Sequence, residues 1–271
     1  MTLFIGPSVK AATALSSPAS DLGPAGTRAL PSPPNLRHGS VNNNPSYYLN
    51  TRPEVAAFLP AGATRVLEIG CGAGSFRRNF PGPVEYWGVE AVPTVALEAR
   101  ALLDRVLPGT FREVYDALPD GYFDLVVCND VIEHMADHDD FLQAIQAKMR
   151  AGGSHLVGSV PNVRYITNLY ALLVRKDWQY ADAGILDRTH LRFFTRRSLE
   201  RSLCLHGYHV ERLAGINGVA IRYRSFPFLM KACLTHVAAA VLGRDILYAQ
   251  FAFRVCLGRD TPVPVQARSP A

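Results

Sequence analysis

Val66-Leu67-Glu68-Ile69-Gly70-Cys71-Gly72-Ala73-Gly74-Ser75-Phe76 is the stretch that decides how this chain folds. Val66 to Ile69 forms an apolar run, the profile of a buried parallel strand. Gly70, Gly72 and Gly74 follow at alternate positions. A chain that turns sharply and lets a ligand touch its backbone needs residues without a Cβ. The dinucleotide fingerprint G-x-G-x-x-G would put its third glycine where Ser75 stands. Here the spacing is G-x-G-x-G, with Glu68 just before it. A carboxylate beside the loop suits a positively charged ligand better than a pyrophosphate.

Outward from this loop the chain alternates strands and helices. Glu85–Glu90 reads as a second strand ending in an acid, at the distance where nucleotide-binding α/β domains place a carboxylate on ribose hydroxyls. Phe111–Tyr115 reads as a third strand, followed by Asp116, and Phe123–Asn129 as a fourth. The corners after these strands line one edge of a parallel sheet, where open α/β folds bind ligands. Tyr47–Phe58 is expected as a helix before the first strand, with Pro53 near its start. A helix from Asp137 to about Arg150 stops at Gly152-Gly153. His155–Val160 is strand five, closed by Pro161-Asn162, and 163–190 forms an insertion after it. Then come a helix at Ser198–His206, a strand at His209–Leu213, a helix over 226–242 and a last strand at Leu247–Cys256. The alternation predicts an α/β fold with a doubly wound sheet.

By the order and spacing of these motifs, residues 46–215 resemble class I S-adenosylmethionine-dependent methyltransferases. S-adenosylmethionine carries an ammonium and a sulfonium and no phosphate, as the Glu68 loop asks. The resemblance implies a Rossmann-like, mostly parallel seven-stranded sheet with the last strand antiparallel. It also implies cofactor contacts: Glu68, Gly70, Gly72 and Gly74 along the methionine part, Glu90 on the ribose, Asp116 and Ala117 near the adenine, and Asn129 beside the methionine moiety. A solvated strand end for Glu90 and ordinary turn chemistry for Asp116 are the plainer readings.

At 271 residues and 48% apolar composition the chain can bury a full core. Residues 1–45, rich in Ala, Ser, Pro, Gly and Asn, are expected to be a disordered extension, 46–256 the domain and 257–271 a flexible tail. Five scattered cysteines without a C-x-x-C indicate neither a disulfide framework nor a zinc cluster, which fits a reducing, cytoplasmic compartment. No secretory signal or transmembrane segment is evident. Ala232 to Gly243 is apolar but too short to span a bilayer; it reads as a core helix or a helix lying on a membrane surface. The net charge is +5, and eight arginines fall between Arg188 and Arg224 against two acids, Glu200 and Glu211. That bias either attracts a phosphorylated acceptor, anionic lipid or nucleic acid, or is a solvated helix face.

Asp130-Val131-Ile132-Glu133-His134 follows strand four directly. On a helical turn Asp130, Glu133 and His134 would share a face. His190, in Asp187-Arg188-Thr189-His190-Leu191-Arg192-Phe193-Phe194-Thr195, would join them. These are fit ligands for Mg²⁺, Mn²⁺ or Zn²⁺; without a metal, His134 or His190 can act as a base on a hydroxyl. The plainer reading has Asp130 cap a turn and His134 serve structure. The acid-x-x-Glu-His run is similar to that of metal-binding ubiquinone-pathway O-methyltransferases and of the enzymes that methylate the terminal ribose of small RNAs, although Asp130 stands where they have Glu. Pro161 to Tyr165, Trp178 to Tyr180 and Gly184 to Thr195 together resemble bacterial methyltransferases of polysaccharide and glycoconjugate biosynthesis. That resemblance implies a hydroxyl on a sugar-containing or other small acceptor, with Tyr165, Trp178 and Tyr180 forming part of its pocket. Ribose methylation of RNA and a non-catalytic, cofactor-binding subunit are the alternatives; no RNA-binding module is recognisable.

Overall fold

The computed structural model describes residues 51–219 and 235–257. The expected extension at 1–45 and, beyond Leu257, the expected tail lie outside these residues. The helix expected over 226–242 is described, and is helical, from 235 to 242.

Seven strands form one sheet: β1 (Arg65–Ile69), β2 (Glu85–Glu90), β3 (Arg105–Pro108), β4 (Leu125–Asn129), β5 (His155–Pro161), β6 (Tyr208–Gly218) and β7 (Tyr248–Leu257). Their order across the sheet is β3-β2-β1-β4-β5-β7-β6. The pairs among β1 to β5 are parallel, and β7 runs antiparallel to both neighbours. The helices are α1 (Pro53–Ala56), α2 (Pro93–Ala99), α3 (Phe111–Val114), α4 (His138–Ala144), α5 (Ile166–Leu173) and α6 (Arg196–Leu205), besides 235–242.

The apolar runs are continuous because both faces of the sheet are covered. Along β4, Val126 and Cys128 enter one core cluster, whereas Leu125 and Val127 enter the other. Glu68 is the exception within β1, and it stands at the ligand edge. Cys71 and Cys128 are buried thiols without a disulfide. Among the described residues no helix is long and apolar enough to cross a membrane.

The third strand differs from expectation. Phe111–Val114 is a helix, and β3 lies upstream at Arg105–Pro108. The cause is a capping box: the Thr110 N–H donates to Glu113 Oε2 at 2.7 Å, and the Glu113 N–H donates to Thr110 Oγ1 at 3.4 Å. Thr110-x-x-Glu113 is a helix-start signal that outweighs the β propensity of Phe111 and Tyr115.

The insertion is closed at its base. Asn162, fully buried, donates from Nδ2 to the carbonyls of Asp245 and Tyr248, both at 2.9 Å, and accepts from the Arg164 N–H. The Val163 N–H reaches the Phe194 carbonyl at 3.0 Å, so the two ends of 163–194 lie side by side. Thr195 then caps α6.

Candidate active site

The glycine loop is held in left-handed backbone, with φ of 69° at Gly70, 54° at Gly72 and 79° at Gly74. A Cβ on Gly70 would stand 2.6 Å from Val131 Cγ2, so the loop packs directly on the segment after β4. Glu90 locks the loop to β2: Oε2 accepts from the Gly72 N–H and Oε1 from the Val92 N–H, both at 2.9 Å.

A cavity of about 650 Å³ lies at this edge. Glu68, Gly70, Gly72, Glu90 and Asn129 line it, as do Asp130, Glu133, His134 and His190. Three expected contacts do not. Gly74 packs on Leu103, where a Cβ would come within 3.1 Å. Asp116 and Ala117 sit on a 3-10 turn after α3, away from the lining, because the third strand ends earlier than expected. Trp178 and Tyr180 pack around the Phe193 ring, at centroid distances of 5.6 and 6.4 Å, and Tyr165 begins α5.

The cavity is acidic. Glu68, Glu90, Asp130, Glu133, Asp182 and Asp187 face it against one arginine, Arg52. Tyr86 donates its hydroxyl to Glu68 Oε2 at 2.8 Å. Burial pushes the Glu68 carboxyl up to about 8; Tyr86 opposes this shift and the charge on Glu90 adds to it. Both polar atoms of the Asn129 side chain are buried without a hydrogen-bond partner among the described residues. A cation with hydroxyls and polar groups at its ends answers all three features, so the cavity fits S-adenosylmethionine.

Asp130 departs from the expected cluster. Its φ of 53° is left-handed, so no helical turn aligns it with Glu133 and His134. Its carboxylate instead meets Arg52 Nη1 at 2.5 Å, Ser159 Oγ at 2.8 Å and Gln250 Nε2 at 2.8 Å. Arg52, Ser159 and Gln250 come from α1's N-terminal flank, β5 and β7, and no local pattern marked them.

Glu133, His134 and His190 do converge: one ligating atom from each lies within 4.8 Å of the others. The two imidazole centroids are 4.7 Å apart. Nδ1 of His134 contacts the Thr189 carbonyl at 3.2 Å, and Nδ1 of His190 the Ile185 carbonyl at 3.0 Å. A carbonyl only accepts, so each neutral ring carries its proton on Nδ1 and keeps a lone pair on Nε2. Glu133 is fully buried, and neither carboxylate oxygen has a hydrogen-bond partner among the described residues. Burial, and then the charge on Asp130, raise its carboxyl well above the usual range. Desolvation, and then the neighbouring His190, hold His134 below the ordinary 6.5.

The Asp187-to-Thr195 stretch builds this cluster. Asp187 accepts from the Thr189 N–H at 2.8 Å and its hydroxyl at 2.7 Å. The Glu133 carbonyl accepts from the N–H groups of Leu191 and Arg192 at 2.8 and 3.0 Å. Four arginines of the basic segment contact groups of this chain: Arg188 pairs with Asp182 at the cavity, Arg192 donates to the Ala136 carbonyl, Arg196 to the Leu213 carbonyl, and Arg212 to the Ala57 carbonyl while lying over the Phe58 ring. Arg222 and Arg224 lie outside the described residues.

A methyltransferase domain family matches residues 34–213, well over half of the chain. No curated protein matches the sequence. Among solved structures, an S-adenosylmethionine-dependent methyltransferase from Archaeoglobus fulgidus is 20% identical with a TM-score of 0.52, covering 78% of this chain and 92% of that one. One from Mesorhizobium loti is 16% identical with a TM-score of 0.50, covering 75% and 95%. A Thermotoga maritima protein described as a possible histamine N-methyltransferase is 18% identical with a TM-score of 0.50, covering 77% and 88%. These likenesses show the seven-stranded Rossmann-like fold, and with the family match over 34–213 they establish that the chain belongs to the methyltransferase domain family, as a class I S-adenosylmethionine-dependent methyltransferase.

Proposed function

We propose that the protein transfers a methyl group to a hydroxyl on a sugar-containing or other small metabolite. The observation that carries this reading is the convergence of Glu133, His134 and His190 at the cofactor edge. An amine acceptor that binds neutral needs no base, whereas a hydroxyl must lose a proton. S-adenosylmethionine supplies an activated methyl group on a sulfonium. In this reading Glu68 faces its ammonium, Glu90 takes ribose hydroxyls on its remaining lone pairs, and Asn129 bonds the methionine part. His134, neutral at pH 7, accepts the hydroxyl proton on Nε2. The insertion holds His190 and Thr189 in register and excludes water from the acceptor.

One observation favours a metal-assisted version. A buried carboxylate without a hydrogen-bond partner among the described residues, with a ring nitrogen of each histidine within 4.8 Å, is a donor set for a divalent cation, and Nδ1 tethers to backbone carbonyls are the usual support for ligating histidines. Glu133, His134 and His190 would hold Mg²⁺ or Mn²⁺, which would polarise the acceptor oxygen.

The test is labelled methyl transfer to a panel of hydroxylated and amine acceptors. His134→Ala or His190→Ala is expected to lower kcat by roughly 10²- to 10⁴-fold while cofactor binding persists. Chelation abolishes activity in the metal version and leaves it intact in the base version. Turnover of amines alone, unaffected by either histidine substitution, would sink the proposal.

A further inference from the structure

α5 leaves several large apolar side chains in water. None of its residues is buried. Ile166, Leu169, Tyr170, Leu173 and the following Val174 fall at i, i+3, i+4, i+7 and i+8, one apolar stripe. Ile166 and Leu169 are half-buried, but the C-terminal part of the stripe points to solvent: Tyr170 is 56% exposed, and Leu173 and Val174 are 64% exposed. Asn168 and Ala171 are half-buried and, with the exposed Thr167 and Arg175, line a second cavity of about 290 Å³. Leaving these side chains in water is unfavourable unless something covers them.

A second exposed apolar surface adjoins it. In helix 235–242, Val237 is 62% and Val241 77% exposed. Arg164, two residues before α5, donates to the Leu242 carbonyl and pairs with Asp245 at 3.4 Å, which pins the adjoining ends of the two helices. Cations flank both stripes in the chain: Lys176 follows α5 and Arg244 follows the second helix. The acids of these segments are Asp177 and Asp245, and the latter is spent on Arg164.

We propose that α5 and helix 235–242 dock on an anionic phospholipid surface. Apolar stripes rimmed by Arg and Lys match an interfacial helix, with the stripe among the acyl chains and the cations at the headgroups. Eight residues are far too few to span a bilayer, for which about 20 are needed. A second copy of the chain is a poorer occupant, because self-pairing would set the same basic rim against itself. The second cavity shares Ala183 and Ile185 with the active-site cavity. Docking therefore brings this wall of the candidate active-site cavity near the lipid surface and favours an acceptor carried on a lipid. This last consequence rests on the hydroxyl-methylation reading; the docking does not.

The test is co-sedimentation of the full chain with vesicles of phosphatidylcholine, alone or mixed with phosphatidylglycerol. It needs no turnover, so its outcome is separate from that of the acceptor panel. The expected result is binding to the mixed vesicles that weakens with salt. Lys176→Gln and Arg244→Gln should each lower the partition by roughly fivefold, and Leu173→Glu should abolish binding, with near-ultraviolet circular dichroism and cofactor binding unchanged. The proposal is overturned if the wild type stays in the supernatant, partitions equally onto neutral vesicles, or keeps its binding in all three variants. It is equally overturned if light scattering shows a dimer that Leu173→Glu splits and vesicles do not recruit.

Discussion

Glu68 and His134 are shifted in ways that a pH series can read. Glu68 sits near 8 because it is buried, so at neutral pH it holds a proton. A cationic ligand beside it favours the carboxylate and lowers that value in the complex. Binding must then release a proton, and cofactor affinity is expected to rise with pH until about 8 and to flatten above it. Calorimetry in two buffers of different ionisation heat checks this, and Glu68→Gln should lose the release. His134 has the opposite shift: its value lies below 6.5, so the base form is present at neutral pH. The acid limb of the kcat profile is therefore expected below 6.5, and an inflection above it would remove His134 from the base role.

At the scale of elements, the insertion is a loop stapled at its neck, and Asn162 is the staple. Asn162→Ala leaves the carbonyls of Asp245 and Tyr248 without their donor in a buried place. The cost is expected to be about 2 kcal/mol, seen as a lower urea midpoint at unchanged slope. The same strand of logic links the neck to the cluster. Phe194, beside Val163, anchors the limb that carries Thr189 and His190, so Asn162→Ala should also lower kcat more than it changes cofactor affinity. α3 makes the complementary point, since a capping box at its first turn settled a segment whose aromatic residues favoured a strand.

Over the whole molecule, one sheet covered on both faces places every cofactor-edge corner at the same end. Two core clusters share the central strands β1, β4 and β5, so they should unfold together. Leu156, fully buried in β5, is expected to cost about 2–5 kcal/mol as Leu156→Ala. Leu205, 78% exposed at the end of α6, should change stability by less than about 0.5 kcal/mol as Leu205→Ala. Calorimetric scans of both variants check this, and each should show a single transition.

What the sequence by itself determined is what acts locally. Buried strands announce themselves as apolar runs, and a loop that must take left-handed backbone needs Gly70, Gly72 and Gly74. The position of Glu90 followed from strand length, the doubly wound α/β class of fold followed from the alternation of elements, and the count of seven strands followed from the family resemblance. The membership of the active-site cluster was partly legible: Glu133, His134 and His190 meet as expected. Asp130 does not join them, because its nearest opposite charge is Arg52, 78 residues away in the chain. A desolvated carboxylate goes to the cation and donors that packing brings to it, and only the closed sheet puts Arg52, Ser159 and Gln250 in one place. The same holds for α5, whose pattern is that of any amphipathic helix. Which of its faces meets water was decided by the tertiary structure, because a helical period specifies a stripe and not the direction in which the rest of the chain lies.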